Sequence, residues 1–229
     1  MALLGQGAVA MWWDIAPAWR AEFEDWHTHE HFPERMGIPG FLRGARWAAV
    51  DGGPGFFVMY ELEAYETLVS EGYLARLNAP TPWSTKMMPH HRNMVRSQCR
   101  VLASRGGGLS RHALTVRLAP AGAEADAGLL RSYLEDLCAS LPSRPGVGAA
   151  HLLQTQTPAM AATTEQKIRG GADAAADWTF IVCGYDRAVL EAVATEALSD
   201  AALAAARARP GATRGLYQLS HSNVAGDVG

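Results

Sequence analysis

The chain has 229 residues, enough for one large domain or two of ordinary size, and its 48% hydrophobic, 19% charged composition suits a globular chain with a sizeable core. A net charge of -3 supplies no general attraction to phosphate backbones or anionic bilayers, so neither nucleic acid nor a membrane is an expected partner. The three cysteines form no CxxC pair, the start lacks a basic n-region, and no apolar run reaches the roughly 18 residues of a membrane span. Together these point to a cytoplasmic protein.

Gly7 to Ile15, rich in Val, Met and Trp, is predicted as a strand, and Pro17 stands where a helix can begin. That helix is predicted over Ala16 to Phe32, since Pro33 removes an N–H and disfavours helical geometry at the residue before it, leaving Glu34 and Arg35 just beyond its end. Ile38-Pro39-Gly40 reads as a turn and Phe41 to Val50 as a second strand. The break Asp51-Gly52-Gly53-Pro54-Gly55 then joins it, as a hairpin, to a third over Phe56 to Leu62. A helix over Tyr65 to Leu77, a Pro-rich irregular crossing (APTPWSTKMMPHHRN) and a fourth strand from about Met94 to Ala103 follow. The order strand, helix, strand, strand, helix, strand is the ferredoxin-like βαββαβ unit.

Arg105-Gly106-Gly107-Gly108 reads as a flexible joint, after which the order starts again. Strand Ser110 to Leu118, helix Ala127 to Leu141 and strand Gly148 to Gln154 lead to a polar insertion, Thr155 to Ala176. Strand Trp178 to Tyr185, helix Arg187 to Arg209 and strand Gly215 to Ser220 complete the second unit. The predicted fold class is therefore α+β, two ferredoxin-like units fused in one chain, with domains 1–105 and 106–229. The first holds six of the seven tryptophans and five of the eight histidines, so chemistry is expected there, with the second unit as a packing partner.

Within the first helix Trp19, Phe23 and Trp26 make one apolar stripe; Glu30 falls inside it, and His27 and His31 lie along its edge. Ionisable groups where the pattern asks for apolar ones mark a candidate site. The run Trp26-His27 through Glu30-His31, then Pro33-Glu34-Arg35, followed by Ile38 to Arg43 (IPGFLR), resembles the dimeric α+β barrel superfamily, nearest to its EthD-like and antibiotic-biosynthesis-monooxygenase-like members. The resemblance implies two sheets packed face to face, here as a barrel within one chain, and a modest apolar pocket where ionisable side chains act on a small organic molecule. Relatives include cofactor-free oxygenases, isomerases, cyclases, haem-binding enzymes and proteins of no known activity, so fold alone does not fix function.

Glu30 with His27 or His31 is the candidate catalytic pair, because a carboxylate in an apolar pocket has its charged form disfavoured and an imidazole titrates near neutrality. The plain alternative is that Glu30 caps a strand's edge or pairs with Arg43 or Arg46 and the histidines sit on a solvated rim. Trp26, Arg43, Tyr60, Trp83, Met87 and His90 are the candidate substrate-binding residues, the last three from the long crossing read as a pocket wall. His27 and His31 at i, i+4 also have a metal-binding spacing, but the order H-E-x-x-H is absent and no third ligand is fixed, so no metal is assigned. His90 or His91 as a haem ligand has no spacing to support it, and no cofactor is assigned. Gly5 to Ala10 fits G-x-G-x-x-A without the strand that must precede it.

The leading expectation is thus an enzyme that does acid/base chemistry (isomerase, cyclase, lyase or cofactor-free oxygenase) on a hydrophobic, aromatic or carbonyl-bearing small molecule. The alternatives are a non-catalytic ligand-binding or assembly protein of the same fold, and a metal- or haem-dependent enzyme. A homodimer is left open.

Overall fold

The structure, a computed structural model, describes residues 3–53, 55–158, 161–171 and 173–227. Pro54 of the predicted hairpin break lies outside them, as do residues 159, 160 and 172 of the predicted insertion. The first repeat comprises β1 (Gly7–Asp14), α1 (Pro17–Trp26), a π turn (His27–His31), α2 (Phe32–Met36), β2 (Phe41–Ala49), β3 (Gly55–Leu62), α3 (Glu71–Asn78), α4 (Pro82–Met87) and β4 (Arg92–Gly106). The second comprises β5 (His112–Leu118), α5 (Glu124–Ser140), β6 (Val147–Thr155), α6 (Thr164–Arg169), β7 (Trp178–Gly184), α7 (Arg187–Thr195), α8 (Asp200–Ala205) and β8 (Thr213–Val224). The eight strands close into a barrel in the order β1-β3-β2-β8-β5-β7-β6-β4. Two βαββαβ units in one chain are the architecture expected from the order of elements, and their closure as an α+β barrel is what the resemblance implied.

Contacts divide the chain into two compact units. One contains 4–100, 156–175 and the chain from Ser220; the other contains Leu3, 101–155 and 176–219. The insertion of the second repeat therefore belongs with the first repeat.

In the first of these units β3 is flanked by antiparallel β1 and β2, in a register that sets Val9 opposite Tyr60, Met11 opposite Val58 and Trp13 opposite Phe56. Alternation puts these six on one face, where Phe23, Trp26, Phe32 and Met36 of the helices cover them. On the other face Trp12 and Trp47 stack on Phe57 with ring centroids 5.2 and 5.1 Å apart. Both faces are buried, and this is why these strands read as continuous apolar runs rather than as alternating ones. In the other unit Val116, Leu152, Phe180 and Val182 pack against Leu130, Leu134 and Cys138 of α5 and Leu190 of α7.

Several predicted stretches differ from the observed ones, the insertion among them, since it contains α6. Helical structure does not stop at Phe32 but runs on to Met36, with Pro33 in the first turn of α2, so Glu34 and Arg35 are helical. The π turn makes this possible. The Phe32 N–H reaches back five residues to the His27 carbonyl, and the widened turn takes up the bond Pro33 cannot give and the space its ring needs. The helix predicted over Tyr65 to Leu77 is split at Ser70, which has extended geometry and caps α3 by accepting from the Tyr73 N–H. The irregular crossing contains α4, begun by Thr81 as N-cap with Pro82 behind it. Ser199 likewise starts a separate α8 inside the long helix predicted over Arg187 to Arg209.

Candidate functional site

Between the helices and the sheet of the first-repeat unit lies one aromatic cavity. Met11 and Trp13 of β1, Phe41 of β2 and Tyr60 of β3 form its floor. Trp26, His27, His31 and Arg35, from α1 through α2, form one wall; Tyr73 and Leu77 of α3, with Met88 and His91 beyond α4, form another. Met94 and Arg96 of β4 and Glu165 and Arg169 of α6 complete the lining. It holds about 510 Å³ of empty space including its mouth. The cavity is a narrow slot with room for a small molecule.

The π turn organises the histidines. His27 and His31 stand on the cavity side with ring centroids 5.2 Å apart, and the His27 ring is packed among Trp13 (5.9 Å), Phe23 (5.2 Å) and Phe32 (4.4 Å). Phe32 reaches the sheet because Gly44 leaves it room: a Cβ there would fall 2.7 Å from its Cδ1. Burial, joined for His27 by the neighbouring His31 and for His31 by Arg35, holds both imidazoles well below the usual histidine range, so both are neutral at pH 7. His91 is also pushed down by burial, to about 3, and gives its Nδ1 proton to the Met87 and Met88 carbonyls at 3.3 and 3.2 Å. Tyr60 is buried on the floor, and burial pushes its phenol up, so it stays protonated.

Several buried polar atoms of this lining have no hydrogen-bond partner: Trp13 Nε1, His27 Nδ1, His31 Nδ1, Tyr60 Oη and one terminal nitrogen of Arg35. The nearest carboxylate to His31 is Glu34, 3.9 Å from its Nδ1. Buried polar groups are nearly always satisfied, and a cluster of exceptions on one cavity is the mark of a place where a ligand or water completes the set.

The other end of the lining is charged. Arg35 and Glu165, both buried, form an ion pair. Arg169 lies 3.7 Å from Glu165 and 2.8 Å from Asp173, while Arg96 donates to the Tyr73 hydroxyl at 2.6 Å. Among the described residues no three His, Cys, Asp or Glu side chains come together as a metal site would require.

Of the predicted site residues, His27, His31, Trp26 and Tyr60 line the cavity together. Glu30 does not. Its Oε1 accepts from Trp26 Nε1 at 3.0 Å, from Ser84 Oγ at 3.3 Å and from the Thr81 hydroxyl, tying α1 to the start of α4 behind the wall. Arg43 faces away from Tyr60, cross-strand from Glu61 and paired with it at 2.6 Å, because the two are successive residues' partners on opposite faces of β3. Trp83 is half-buried over Glu22 at 3.3 Å, Met87 is buried in the core, and His90 stacks on Trp19 at 3.8 Å; none of these lines the cavity. His91, Arg96, Glu165 and Arg169 are lining residues that sequence reasoning did not select. The spacing Glu165, Arg169, Asp173 after the capping box of Thr163 and Gln166 marks an ion-paired helix, but nothing in it says which cavity that helix meets.

The fold and cavity define this chain as a single-chain α+β barrel with an aromatic, arginine-edged slot in its first repeat. No family model matches the sequence, and no curated protein is similar to it. Among solved structures, the chain is similar to an anthrone oxidase-like protein at 16% identity and a TM-score of 0.64, with 97% of this chain and 94% of that one covered. It is similar to a candidate monooxygenase from Fusobacterium nucleatum at 8% identity and a TM-score of 0.61 (97% and 96% covered). A major regulator of staphylococcal pathogenesis shares the fold at 10% identity and a TM-score of 0.50 (93% and 98% covered). At these identities the likeness is one of fold.

Proposed function

We propose that the slot binds a small, flat, largely apolar organic molecule, and that His27 and His31 move a proton on it. The observation that carries this reading is the pair of buried, neutral imidazoles, each with an unpartnered Nδ1, facing the same aromatic cavity as the unpartnered Tyr60 hydroxyl. A neutral imidazole is competent to take a proton from an acidic C–H or O–H held against it, and a protonated phenol can donate to the oxygen on which the resulting negative charge gathers. Glu30 is a positioning residue: it fixes the Trp26 indole and, through Thr81 and Ser84, the wall that α4 begins.

An anthrone is a suitable first probe, being flat, aromatic and acidic at the carbon opposite its carbonyl; the anthrone oxidase-like neighbour motivates the choice. The reading expects the protein to accelerate deuterium exchange at that carbon in heavy water. His27→Ala and His31→Ala should each lose about 10²-fold of that rate, while Glu30→Gln should lose less than about 10-fold, as expected of a group acting through Trp26. Equal exchange rates in wild type and both histidine variants would overturn it.

A second reading is favoured by one observation, that burial holds both imidazoles below the usual histidine range, since a base weakened in the free protein is a poorer catalyst. On that reading the slot holds its ligand without turning it over, and binding persists with no exchange.

A further inference from the structure

One guanidinium on the charged wall of the slot has no carboxylate of the described residues in contact with it. Glu165 and Asp173 hold Arg35 and Arg169, leaving Arg96 as the third guanidinium on the same wall. Glu34 also lies 3.7 Å from Arg35, so the carboxylates of this wall gather on Arg35 and Arg169. Among the described residues no carboxylate comes within 4.0 Å of Arg96. Its side chain donates only to Tyr73 Oη, a neutral phenol, at 2.6 Å. A guanidinium carries five N–H donors and is not deprotonated in a protein, and the half-buried Arg96 has donors to spare beyond the one it gives to Tyr73. Arg35 adds a buried Nη1 with no acceptor in hydrogen-bond range, Glu34 standing 3.7 Å off, and its guanidinium lies 5.9 Å from the centroid of that same Tyr73 ring, so the two arginines flank one aromatic residue.

We infer that the Arg96–Tyr73–Arg35 end of the slot is an anion subsite, and that the natural ligand joins a carboxylate or comparable monoanionic group to the flat apolar body held between Trp13, Trp26 and Phe41. This rests on the reading of the slot as a ligand site, but not on any reaction taking place there. The apolar floor and the cationic end then recognise two parts of one molecule, and a neutral ligand of the same shape leaves Arg96 without an anion in contact.

The test is the binding of a matched pair, trans-cinnamate and trans-cinnamamide, measured by titration calorimetry on the full chain at pH 7.5. Cinnamate should bind at least about tenfold more tightly, as expected for hydrogen bonds to a charged partner. Arg96→Gln should bring the two within about twofold of each other by weakening cinnamate alone, and Arg96→Lys should keep part of the preference, with melting curves reporting whether each variant is folded. Equal affinities in the wild-type protein would overturn the anion subsite while leaving the ligand slot standing, and so would a preference that survives in folded Arg96→Gln. Binding of neither compound would overturn the slot reading and the subsite together. The wild-type comparison decides the matter even if the glutamine variant does not fold.

Discussion

His27 carries a cost that a purely structural residue in its place would not. Its ring is 1% exposed, its Nδ1 has no partner, and burial holds it neutral. A histidine whose folded pKa lies below its unfolded value of about 6.5 contributes stability fully above that value and loses it as pH falls, because the unfolded chain then binds the extra proton. The expected loss is about 1.4 kcal/mol for each pH unit below 6.5. Glu34 and Glu61, both raised by burial, act in the opposite sense, so a variant isolates the effect better than the wild-type slope does. His27→Phe should melt higher than wild type, by more at pH 5 than at pH 7, and should abolish proton transfer; a stability difference independent of pH would contradict the assignment. The same residue shows what the sequence concealed. In an ideal α-helix Glu30 lies inside the apolar stripe and the histidines at its edge, whereas the observed π turn carries His27 and His31 to the cavity and leaves Glu30 to hydrogen-bond behind the wall.

At the scale of elements, the candidate site depends on two short devices. Phe32 sits on Gly44, where an added Cβ would meet Phe32 Cδ1 at 2.7 Å and Tyr60 Cδ1 at 2.9 Å. Gly44→Ala should therefore cost about 1–3 kcal/mol of stability and displace His27 through its neighbour Phe32. Chemical denaturation checks the first effect and loss of cinnamate binding the second. Thr81 is the other device: its hydroxyl caps α4, accepting from the Ser84 N–H at 3.0 Å, and also donates to Glu30. Thr81→Ala should cost about 1–2 kcal/mol, and Thr81→Ser should restore most of it. Thr81-Pro82 is a helix-start signature legible in the sequence, yet the surrounding prolines argue for an irregular crossing. The stop at Pro33 failed for a different reason, since proline ends a regular α-helix but not one that widens to a π turn just before it.

The whole molecule was legible in the order of its strands and helices, which needs only patterning and turn residues, whereas half of the cavity's charge was not. Glu165 and Arg169 come from the insertion between β6 and β7, in the second repeat by sequence, yet they belong to the compact unit of the first repeat and line its cavity. Local periodicity cannot report a partner more than a hundred residues away. The cysteines allow the integrity of both units to be read at once: Cys99 lies in one, Cys138 and Cys183 in the other, all are buried, and none is in a disulfide. Burial pushes the Cys138 thiol up to about 12, so at pH 8 it is neither ionised nor accessible. A thiol reagent such as DTNB should label none of the three in the native protein and all three in denaturant. In intermediate urea, with each cysteine followed by peptide mapping, labelling should be first order and occur at one rate if the two units open together. Prior labelling of Cys99 alone would show instead that the unit carrying the slot opens by itself, and the unsatisfied polar atoms of its cavity give it reason to do so.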